Sequence, residues 1–160
     1  MSELTDSIVT AFVDNAYPGD TRLTVYGDSP LEYDETRRLL IGRSWRDFPA
    51  AEFIQGDTPF PDLSPEAFHY YMPALLLASL DPTFDLNSDM AHSIVFYLSP
   101  RGAFAEGEFG YDDREGFQKR MAQFTPTQRE VMAETLREYL RFYSDDEWTR
   151  GAINFLTGED

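Results

Sequence analysis

The chain has 160 residues, no cysteine, and 29 acidic against 13 basic residues, for a net charge of −16. Disulfides, thiolate metal sites, iron–sulfur clusters and a cysteine nucleophile are therefore excluded, and a reducing compartment is the simplest setting. The acidity repels phosphate and argues against a nucleic-acid partner, and it is no tail, since residues 1–80 hold 13 acids and 5 bases and residues 81–160 hold 16 and 8.

The length suits one domain spanning residues 1–160. The opening stretch lacks a basic n-region and is interrupted by Asp6 and Asp14, so it is not read as a signal peptide. Leu4, Ile8, Ala11 and Phe12 recur at helical spacing, and the pattern stops at Tyr17-Pro18-Gly19-Asp20. Residues 21–26 could make a short strand, but no pairing partner is evident and they are read as extended loop. Ser29-Pro30-Leu31-Glu32 reads as the capped start of a second helix reaching about Ile41, with Gly42 free to end it in the left-handed conformation. A short helix is expected from Pro49 to Gln55, with Trp45, Phe48 and Phe53 covering one side of the core.

Ser64-Pro65 opens the central element, which carries no formal charge from Ala67 to Leu80. Phe68, Tyr71, Met72, Leu75 and Leu76 form one stripe, and Ala67, Ala74, Leu77 and Ala78 make the opposite side apolar too, the pattern of a buried helix. This run is shorter than the roughly 20 residues a membrane span requires. Pro73 has no amide for the carbonyl of His69, so a kink is expected, with that carbonyl needing another donor. Asp81-Pro82 ends the element.

Asn87 or Ser88 caps a further helix bearing Met90, Ile94, Tyr97 and Leu98 on one face. Residues 99–113 form the longest irregular segment. A short helix is predicted from Asp112 to Phe124, and Thr125-Pro126-Thr127-Gln128 then repeats the capping arrangement. The next helix places Met132, Leu136, Tyr139, Leu140 and Tyr143 inside, with Glu134/Arg137 and Glu138/Arg141 as outer pairs. A last helix starts near Ser144 and carries Trp148, Ile153 and Leu156. The fold class expected is all-α: a single-domain multi-helix bundle around an apolar, proline-kinked helix.

Four blocks resemble a family of small bacterial proteins described only as a domain of unknown function. They are Ala11-Phe12 with Tyr17 to Asp20 downstream, Gly42 to Trp45 (GRSW), Leu63 to Leu80 (LSPEAFHYYMPALLLASL) and Phe124 to Leu140. The resemblance implies an all-helical domain and transfers no catalytic residue. Its pattern has arginine more often than histidine at position 69, which speaks against catalysis by His69.

Among candidate sites, Glu66-x-x-His69 and Asp89-x-x-His92 each set a carboxylate and an imidazole one turn apart, the spacing of helical-bundle di-iron sites. Such sites need two further glutamates, and Glu66 in a first helical turn is explained by the helix dipole alone. Asp112-Asp113 and Asp145-Asp146-Glu147 fall at helix starts for the same reason, and no nucleophile elbow is present. No metal and no cofactor are therefore assigned. In the 99–113 loop, Phe104, Phe109 and Tyr111 are apolar anchors flanked by Glu106 and Glu108, a composition suited to a basic protein surface; folded inward, the same rings would plug the core. The reading is a cytoplasmic, non-enzymatic protein-binding module of inhibitor or immunity type. A small metal-dependent enzyme using Glu66, His69, Asp89 and His92 is the alternative, and a salt-adapted structural domain a third.

Overall fold

A computed structural model describes residues 3–27, 34–48, 52, 62–86, 88–100, 114–141 and 146–159. Among them lie seven α-helices: α1 (Glu3–Ala11), α2 (Asp34–Leu40), α3 (Pro65–Ser79), α4 (Asp89–Leu98), α5 (Arg114–Ala122), α6 (Pro126–Leu140) and α7 (Glu147–Thr157). Two 3-10 turns, Asp20–Arg22 and Trp45–Asp47, flank α2. The expected all-α architecture holds, and no helix is long and apolar enough among the described residues to cross a membrane.

Most helix starts are set by a side-chain oxygen accepting an otherwise unpaired amide, and these caps lie where the residue types pointed. Ser64 accepts from the amide of Ala67 at 3.0 Å, Ser88 from Ala91 at 3.2 Å, and Asp146 from Trp148 at 3.1 Å. Thr125 and Gln128 form the full reciprocal box, with Gln128 N to Thr125 Oγ1 at 3.2 Å and Thr125 N to Gln128 Oε1 at 3.0 Å. The last helix begins at Glu147, three residues later than the start expected near Ser144, because Asp146 supplies the cap. Gly42 takes φ 68° just past α2, as a helix end in the left-handed region requires.

α3 lies against α1, α5 and the turn at 45–47; α6 lies against α7 and α1, and α4 against α7. Every residue of the predicted stripe on α3 is buried, with Phe68, Met72, Leu75 and Leu76 wholly inaccessible. Ala67, Ala74 and Ala78 on the other side are buried as well, while Leu77 is half-buried. A helix enclosed this way draws its stability from burial on all faces instead of from amphipathicity. On α6, Met132, Leu136 and Tyr139 point inward and the two outer ion pairs form, Glu134 to Arg137 and Glu138 to Arg141, the latter at 2.7 Å. Being exposed, such pairs contribute well under about 1 kcal/mol each.

One expectation needs correction. The segment at 21–26 does find a partner: Thr24 bridges Leu63 antiparallel, with Val25 N donating to Asp62 O at 2.9 Å and Ser64 N to Leu23 O at 3.1 Å. The pairing is a single bridge because Ser64 is already committed to capping α3, which turns the chain out of the extended conformation after one rung. The start of the second helix at 29–33, the helix expected over Pro49–Gln55 with Phe53, and Tyr143 lie outside the described residues, apart from Glu52.

Candidate functional site

The carbonyl of His69, left without a helical donor by Pro73, is met by Asn15: its Nδ2 donates to His69 O at 3.1 Å. That bond belongs to a closed polar cluster joining α3, α6 and the end of α1. Gln128 Nε2 donates to Asn15 Oδ1 at 3.0 Å and to Ala11 O at 3.1 Å, so its carbonyl oxygen is left to accept, from Thr125 N and from His69 Nε2 at 3.0 Å. The network therefore fixes both amide orientations and puts the neutral histidine's proton on Nε2. All four hydrogen-bonding positions of the Gln128 amide are used. The His69 ring sits edge-on to Phe124 at 5.0 Å and tilted against Phe12 at 6.2 Å.

Burial among these rings pushes the His69 imidazole below its usual range, with the Gln128 bond opposing more weakly. Its folded-state pKa lies below the unfolded value near 6.5, so the native state takes up the proton less readily than the unfolded chain. Stability is then fully present above about pH 6.5 and declines as pH falls toward the folded pKa. Chemical denaturation at roughly pH 7 and pH 5.5 should show this decline, and His69→Gln should lessen it. An equal pH response in that variant would assign it to other groups.

A second cluster joins the tyrosines. Tyr17 donates to Asp20 Oδ1 at 2.6 Å and accepts from Gly42 N at 2.9 Å, while its ring meets Tyr70 edge-on at 5.4 Å. Burial, and next the bond to Asp20, raise the Tyr17 phenol. The one hydroxyl proton of Tyr71 is shared between the carbonyls of Leu40, at 2.7 Å, and Arg43, at 2.9 Å, closing the end of α2. Arg43 grips Glu52 through two nitrogens, at 2.6 and 2.9 Å, and lies 4.0 Å from the centre of the Phe48 ring. These clusters pin helices together, and each polar group named in them is held by a partner inside the protein.

The metal-like half-motifs do not converge. Glu66, Asp89 and His92 are exposed, His69 faces Gln128, and among the described residues no three His, Asp or Glu side chains gather in a way that could hold a metal ion. Phe104, Phe109, Tyr111, Glu106, Glu108, Asp112, Asp113 and Asp145 lie outside the described residues. Asp146 is the cap of α7. Asn15 escaped the sequence reading altogether; the signal for it was the orphan carbonyl that Pro73 announces, which calls for a donor without saying which. At the surface, α1 and α6 border an open groove of about 630 Å³, lined by Glu3, Asp6, Ser7, Thr10, Ala11, Thr127 and Val131.

Fold and clusters together define an all-helical domain built on an enclosed helix that runs through Pro73 without a break. The chain belongs to a family of unknown function, DUF6714, whose model matches residues 1–156. No curated protein and no solved structure matches it. Within that stretch distant parts of the chain are tied together: Tyr17 binds Gly42 and touches Tyr70 near the surface, and Ala11 and Phe12 meet Gln128 and Phe124 in the half-buried and buried layer beneath.

Proposed function

We propose that this protein is a non-enzymatic, cytoplasmic binding domain for a basic protein, in the manner of an inhibitor that neutralises a cationic partner. The observation that supports it is the placement of charge: no described aspartate or glutamate is buried, so their carboxylates face solvent or the partly covered rim. Such a surface speeds encounter with a cationic partner, and apolar anchors then hold the complex. Phe104, Phe109 and Tyr111, flanked by Glu106 and Glu108, are the anchors assigned to that task.

The test is binding to the basic protein recovered with this chain from its source cell, followed by association and dissociation rates at rising salt. Association should slow with salt, because screening shortens the reach of the charges. Phe104→Ala with Phe109→Ala should mainly quicken dissociation while leaving the circular dichroism spectrum unchanged. Unfolding of that double variant, or salt-independent capture indifferent to it, would overturn the reading.

A further inference from the structure

We infer that the groove between α1 and α6 seats a lysine- or arginine-bearing segment of a protein partner, the aliphatic stem lying on Ala11 and Val131 and the cationic head toward Glu3 and Asp6. This rests on the reading that the partner is basic, and adds where it is held. Glu3, Asp6, Ser7 and Thr10 follow one another at spacings of three, one and three along α1 and so share one side of the helix, while Thr127 and Val131 stand one turn apart on α6. The result is an apolar floor between hydroxyls, with two carboxylates at one edge.

Neither of those carboxylates pairs with a base among the described residues. Glu52, Glu115, Glu130, Glu134 and Glu138 each do. The dipole of α1 accounts for only part of this charge, since a helix N-terminus carries about half an elementary positive charge and two carboxylates stand in its first turn. At the neighbouring end of α6 the Gln128 amide is already taken by Thr125, so it is not available to an anion. A long cationic side chain matches both the floor and the edge, because its stem and head separate in the same way. A phosphorylated segment would be repelled, and an apolar one would strip water from two carboxylates without replacing it.

The probe is an amphipathic peptide of alternating lysine and leucine, titrated at low salt into the isotope-labelled full chain and followed by amide chemical shifts. A glutamate–leucine peptide serves as the control. Shifts should concentrate on residues 3–11 and 127–131, and Glu3→Gln with Asp6→Asn should weaken binding roughly tenfold, as two exposed charge pairs at the upper end of their usual strength would. Glu35→Gln with Glu159→Gln removes the same charge outside the groove and should cost less than about threefold. Equal losses in the two variants, or shifts spread over the acidic surface or confined to residues 101–113, would overturn the groove while leaving a basic partner in place. Absence of binding to the lysine peptide at low salt would overturn both.

Discussion

Leu76→Ala is expected to lower the free energy of unfolding by about 2 to 5 kcal/mol, the range seen when a fully enclosed leucine is truncated. Leu76 is wholly inaccessible, and so are Phe68, Met72 and Leu75 on the same helix. The surrounding core has little freedom to collapse into the space left, because α3 is hemmed in by α1, α5 and the turn at 45–47. Urea titrations of the wild type and variant would measure the loss. A change below about 1 kcal/mol would mean that the helix is peripheral, which the burial contradicts.

Asn15→Ala is expected to cost about 2 to 4 kcal/mol, a large effect for an asparagine beyond the end of a helix. It removes the donor to the His69 carbonyl and the acceptor for Gln128 Nε2 together, leaving two groups in partly buried surroundings without partners. The cause can be isolated with Pro73→Ala, which restores an amide able to reach His69 O along the helix. In that background Asn15→Ala should cost about 1 kcal/mol less, and the double-mutant cycle reads the difference as coupling between two residues far apart in sequence. Additive effects would show that the asparagine acts through Gln128 alone. Pro73→Ala itself should keep the helical circular dichroism of the parent, since α3 already continues through that position.

The polar and aromatic clusters hold the domain together across long sequence separations. Tyr17, Gly42, Tyr70, Tyr71, Gln128 and Phe124 lie within the stretch the family model covers, and each is occupied in joining parts of the chain distant in sequence.

The sequence by itself determined the all-helical class, several helix starts and the enclosed character of α3. Caps at Ser64, Ser88 and Thr125, the left-handed turn at Gly42 and the apolar run of α3 are legible because their causes lie within about four residues, the reach of helical hydrogen bonds and of one turn of side chains. Even the unmet carbonyl of His69 could be read from the proline four positions on. Only the tertiary structure decided who meets it. The donor, Asn15, is 54 positions from His69, and its own partner Gln128 is 113 positions from Asn15, so their meeting depends on how α1, α3 and α6 pack. The same packing turned His69 toward Gln128, left Glu66, Asp89 and His92 in solvent, and gave residue 24 its partner at residue 63. Residue spacing specifies what one helix face can offer; convergence of faces from different helices is a property of the packed core.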